Sequence, residues 1–190
     1  MRYLTHPQVL IDKNIPVPQW SLSEVGTKRV MEIAGATSLK STNLLISSDE
    51  TKAQETAQIL APNLMLSIIT MQKTHENDRN STGFLEPKEF EKVATQFFTY
   101  PEQSIHGWES AKDAQTRIIK EIMPILTNHK TGDILIIGHG AVGTLLYCHL
   151  ANIPISRKWD QPAGGGNFFS YDIKSQSILH HWQAMEQLIY

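Results

Sequence analysis

The run Asp133-Ile134-Leu135-Ile136-Ile137 constrains this chain more than any other segment. Four consecutive branched apolar residues, broken off by Gly138-His139-Gly140, read as a strand covered on both faces. Such strands belong to parallel sheets with helices packed on either side. The rest of the chain alternates accordingly. Arg2 to Thr5, Asn43 to Ser47 and the alternating Leu64, Leu66 and Ile68 read as strands. Asn167 to Ile173 and Ser177 to Trp182 read as a closing pair. A helix is predicted from the capping box Ser21-Leu22-Ser23-Glu24 to a stop at Gly35. A second carries Ala53, Ala57 and Leu60 on one face and ends before Pro62. Further helices are predicted over Pro87–Phe98, Glu109–His129 and Ala141–Ala151. Pro124 is expected to bend or shorten the last turn of the second of these. The expected fold is a three-layer α/β/α sandwich around a mostly parallel sheet of about six strands.

Length and charge narrow the possibilities. The 190 residues suit a single domain over 1–190, with residues 70–110 as an insertion capping one sheet edge. Seventeen Lys and Arg against nineteen Asp and Glu leave a net charge of −2, too little to drive nucleic-acid binding. The single cysteine, Cys148, excludes an internal disulfide framework and a multi-cysteine zinc site. No apolar run approaches the length of a membrane span, and the N-terminal residues carry no apolar leader. A cytoplasmic protein without membrane or nucleic-acid partners is expected.

Eight histidines stand beside that one cysteine. Two of them, His6 and His139, directly follow predicted strands, where open α/β sheets bind ligands. Gly138 and Gly140 flank His139 and let backbone approach a ligand at the start of the next helix. A third strand end carries Ser47-Ser48-Asp49-Glu50-Thr51-Lys52-Ala53-Gln54-Glu55-Thr56-Ala57. Lys52 falls in the first helical turn, where a cation opposes the helix dipole; an anion to bind would explain it.

Taken together, these pieces resemble the histidine phosphatase superfamily, the phosphoglycerate-mutase-like proteins. That family carries Arg-His-Gly after its first strand, Ser-Ser-x-x-x-Arg-Ala-x-Gln/Glu-Thr-Ala after a later one, and Gly/Ser-His-Gly after another. This chain matches at His6, Ser47-Ser48, Ala53, Glu55-Thr56-Ala57 and Gly138-His139-Gly140. Leu22-Ser23-Glu24-Val25-Gly26 and Gly107-Trp108-Glu109-Ser110 resemble two lesser family stretches. The likeness runs from Leu4 to about Phe169. It departs where phosphate is held: Thr5 stands for the arginine, Pro7 for the glycine and Lys52 for the second arginine. An ammonium does not replace a guanidinium that grips phosphate with two parallel donors. Arg79 is the candidate replacement.

The resemblance implies a metal-independent phosphatase without cofactor, acting on a small phosphorylated substrate and releasing inorganic phosphate. His6 would form a phosphohistidine, and His139, Lys52, Arg79, Thr5 and Gly140 would surround the phosphoryl group. Glu76 would act as proton donor and then as base. Phosphoglycerate mutase fits less well, because the chain is short and lacks the usual arginine. A weakened pseudoenzyme that binds a phosphorylated ligand is the main alternative. Gly138-His139-Gly140-Ala141-Val142-Gly143, with Asp160 beyond it, also fits a dinucleotide fingerprint, but such a fingerprint normally opens the first βαβ unit. The substrate and the oligomeric state stay open.

Overall fold

The computed structural model describes residues 1–189. Its regular elements are β1 (Arg2–Thr5), α1 (Glu24–Ile33), β2 (Thr42–Ser48), α2 (Thr51–Leu64), β3 (Ile68–Met71), α3 (Pro87–Thr99), α4 (Ala111–Asn128), β4 (Asp133–Gly138), α5 (Gly140–Leu150), β5 (Asn167–Asp172) and β6 (Ser177–Ala184). They form one six-stranded sheet in the order β3-β2-β4-β1-β5-β6. The first four strands in that order run parallel, and β5 and β6 are antiparallel additions.

The apolar run of β4 does what its composition demands. Leu135 and Ile137 pack with Leu4, Leu45, Val30, Ile33, Ala57 and Leu60 under α1 and α2. Ile134 and Ile136 point the other way, with Tyr3, Ile46, Ile118, Ile122 and Phe169 beneath α4 and α5. Each such side chain contributes roughly 1.5–3 kcal/mol when fully buried. Outside α4 and α5, α3 docks Val93, Phe97 and Phe98 against Trp108, Ala111, Val142 and Leu145. No helix of the described residues is long and apolar enough to cross a membrane.

Four local expectations are corrected. The cap of α1 is Ser23, whose hydroxyl accepts the Gly26 N–H, rather than Ser21. Pro62 lies inside α2 and does not stop it. The helix runs on to Leu64, and Met65 closes it in the left-handed region at φ 54°. The third strand therefore starts at Ile68, and Leu64 and Leu66 take no part in it. Pro124 leaves α4 running to Asn128, because it sits on the exposed side where water can take the carbonyl it frees.

Register fixes the functional edge. Thr5 pairs with Gly138, and Ser47 with Ile137, so β1, β2 and β4 end level with one another. The residues just past those ends, His6, Ser48 and His139, converge. Tyr3 buttresses the junction: its hydroxyl accepts the His139 N–H at 3.1 Å. A Cβ at position 138 would stand 2.1 Å from that hydroxyl, which is why a glycine precedes His139.

Candidate active site

His6 and His139 face each other edge to face, with ring centroids 5.2 Å apart. Nδ1 of His6 lies 2.8 Å from the Pro7 carbonyl oxygen. A carbonyl only accepts, so Nδ1 carries the proton and Nε2 keeps its lone pair. His139 is fully buried, with Nε2 2.8 Å from the Ser48 hydroxyl and Nδ1 buried without a partner.

Desolvation holds both imidazoles far below their ordinary value. His6 is pushed down to about 3, with His139 and Lys52 adding to the effect. His139 is pushed down to about 4, with Lys52 lowering it and Glu50 opposing. Both rings are thus neutral near pH 7. Burial pushes the Glu50 carboxyl up, but His139, Lys52 and its hydrogen bonds outweigh this and bring it to about 2. Stability should fall in acid. Unfolded imidazoles take up protons around 6.5, and the folded ones do so only near 4 and 3. Between those values the unfolded chain binds more protons, so the fold loses stability as pH drops below about 6.5. Glu50, ordinarily at 4.5, adds a further loss between 4.5 and about 2. The urea unfolding free energy is expected to drop by about 3–4 kcal/mol from pH 7 to pH 5. An unchanged value over that interval would contradict the neutral pair.

The carboxylate of Glu50 is the residue the sequence reading passed over. It is 6% exposed and pairs with the ammonium of Lys52, which also donates to the Val17 carbonyl at 2.9 Å. Its other oxygen accepts the Glu76 N–H at 2.8 Å and lies 3.7 Å from His139 Nε2. Lys52 is therefore not the unpartnered ammonium that its place in the helix suggested. Its signal was there, in a glutamate two residues before Lys52 at a strand end.

Glu76 sits at the start of α5. Its carboxylate accepts the N–H groups of Ala141 at 3.1 Å, Val142 at 3.0 Å and its own neighbour Asn77 at 3.0 Å. The dinucleotide reading fails here, because this carboxylate fills the place a pyrophosphate would take. Gly143 instead accommodates Tyr3 and Trp182. The loop bearing Glu76 is clamped from behind. Arg117 donates to the carbonyls of Lys73, His75 and Glu76 while paired with Glu109.

Arg79 lays its guanidinium over Phe90 at 4.9 Å and Trp108 at 6.0 Å. Among the described residues nothing accepts a hydrogen bond from it. Thr5 does not join the group. It is fully buried, its hydroxyl donating to Gln161 at 2.7 Å and accepting the Asn167 N–H at 3.0 Å. It lines no cavity beside His6, because the loop from β5 has taken the hydroxyl. That loop also braces His6, whose carbonyl accepts the Gly166 N–H at 2.9 Å. A Cβ on Gly165, at φ +65°, would come within 2.4 Å of the same carbonyl. Gly140 begins α5 against the Gln161 amide and lines the opening.

Two cavities meet at His6, Glu76, Asn77 and Arg79. One, of about 650 Å³, extends over Phe90, Phe97 and Trp108 toward Gln161 and the glycine loop. The other, of about 670 Å³, extends past Lys52 and Glu50 toward Val17 and Trp20.

The parallel part of the sheet thus gathers two histidines, a lysine and two glutamates at its carboxyl edge. Residues 15–180 match the histidine phosphatase superfamily (branch 1), and the chain belongs to that family. The match begins after His6. Among solved structures, the chain is similar to mycobacterial glucosyl-3-phosphoglycerate phosphatase in complex with inorganic phosphate. The TM-score is 0.73 at 18% identity, covering 98% of each chain. It is also similar to alpha-ribazole phosphatase from Shigella flexneri, with TM-score 0.73, 15% identity and coverage of 99% of this chain and 97% of that one. For Bacillus stearothermophilus YhfR the values are 0.70, 19%, 95% and 93%. No curated protein sequence matches.

Proposed function

We propose that this protein hydrolyses phosphomonoesters through a phosphohistidine formed on Nε2 of His6. The observation that carries this is the fixed tautomer: Pro7 holds the Nδ1 proton, which leaves the Nε2 lone pair free on a neutral ring packed edge to face with His139. Neutral His6 attacks phosphorus in line as the ester oxygen departs, splitting one difficult step into two. Arg79, whose donors are uncommitted, supplies the charge that the missing family arginine would have given. Lys52 and His139 flank the equatorial oxygens, and the Gly140 backbone closes the turn beside them. Glu76 passes a proton to the leaving oxygen and afterwards takes one from water. Residues 70–110 act as the cap, because Glu76, Arg79, Phe90 and Trp108 all come from them. Metal-independent hydrolysis is favoured over mutase action, since few cations remain to hold a second anionic group.

One observation favours a second reading. The Glu50–Lys52 pair resembles a site already satisfied, as a pseudoenzyme's would be. The two readings part on trapping. Acid-labile label from a ³²P-phosphomonoester is expected on the peptide containing His6 after rapid alkaline quenching. Absence of label there, with unchanged binding of the ester, would establish the pseudoenzyme instead.

A further inference from the structure

We infer that the site also accepts a second substrate class, a phosphodiester bearing a single negative charge, and that Glu50 is the residue that selects for it. The inference rests on His6 as nucleophile and goes beyond the monoesterase reading.

The first support is charge at the place of reaction. Glu50 competes with a phosphoryl oxygen for its surroundings: it pairs with the Lys52 ammonium, accepts the Glu76 N–H and lies 3.7 Å from His139 Nε2. It is an internal anion inside the cradle. Along the two cavities Arg157 is answered by Glu91 at 2.5 Å. That leaves Lys52 and Arg79 against the carboxylates Asp49, Glu50, Glu76, Asp78 and Asp160. A monoester dianion adds two charges of the sign already in excess, and a diester adds one. Like charges in contact weaken the wrong ligand more than the right one, a common route to selectivity.

The second support is space, and it is independent of charge. A monoester needs one chamber for its single substituent. Here two chambers of similar size open on either side of His6. The aromatic chamber offers Phe90, Phe97 and Trp108, and the other offers Val17, Pro18 and Trp20. A diester centred at His6 places one substituent in each.

The step balances. The Nε2 lone pair forms the N–P bond as one P–O ester bond breaks, and Glu76 gives its proton to the departing alkoxide. Water then adds its oxygen to phosphorus as the N–P bond breaks, and its proton returns to Glu76. The products are an alcohol and a phosphomonoester, which the same site can take up in turn.

The test compares bis(4-nitrophenyl) phosphate with 4-nitrophenyl phosphate on wild type, Glu50→Gln and His6→Ala. Wild type is expected to show the higher kcat/KM on the diester. Glu50→Gln is expected to lower the diester-to-monoester ratio tenfold or more. A wild-type preference for the monoester, or a ratio that Glu50→Gln leaves unmoved, overturns the inference. Turnover that survives His6→Ala overturns the reading of His6 instead. Calorimetry on His6→Ala, which keeps Glu50 and both chambers, with diphenyl phosphate and phenyl phosphate gives a readout free of turnover. Tighter binding of phenyl phosphate, the dianion, also overturns it.

Discussion

His6→Ala is expected to reduce turnover of 4-nitrophenyl phosphate by about a thousandfold or more, the scale seen when a covalent nucleophile is removed. The fold should survive. The ring makes one hydrogen bond, to the carbonyl of the next residue, and the bracing by Gly166 goes to the His6 backbone rather than to its side chain. Unchanged circular dichroism and melting temperature would verify that. Added imidazole, small enough to enter the space left behind, should restore part of the rate. Retention of more than a tenth of wild-type activity would remove His6 from the chemistry and shift attention to His139. That outcome would be surprising, because His139 is fully buried with Nε2 occupied by Ser48.

Glu76→Gln should show its largest effect on esters with poor leaving groups. A 4-nitrophenolate leaves without help, whereas an alkoxide needs a proton as the bond breaks. General acid catalysis contributes typically about 10²–10⁴-fold. The variant should therefore lose about a hundredfold or more on an alkyl phosphate and much less on 4-nitrophenyl phosphate. A purely structural defect would depress both substrates alike, so equal losses would refute the proton-transfer role. Some structural cost is expected in either case, because the amide would present a donor to N–H groups of Ala141, Val142 or Asn77 that the carboxylate now accepts.

Much of the architecture was legible because it rests on local pattern. The alternating burial of Ile134, Leu135, Ile136 and Ile137 follows from an apolar run with period two, and it needs no knowledge of distant residues. His6 and His139 were legible for a related reason, since strand ends in such sheets are where ligands meet the fold. The helix that runs through Pro62 was not, because a proline near a C-terminus only marks a probable end, and packing of Leu60 and its neighbours carries the chain one turn further. Thr5 was misassigned and Glu50 missed for a deeper reason. Whether the Thr5 hydroxyl faces phosphate or Gln161 depends on a loop some 160 positions away, and |i−j| for that bond is 156. Glu50 becomes meaningful only once the end of β2 lies beside His139, with |i−j| of 91 for the Ser48 contact. Residue type and spacing carry little information on such pairings.

The placement of β1 has one more consequence. The first strand of the chain lies between β4 and β5, which are contributed by residues 133–138 and 167–172. His6 therefore cannot meet its neighbours until residues 133–172 have joined the sheet. Pairing between such distant segments is slow, so the edge that gathers His6, Ser48 and His139 is completed late in folding.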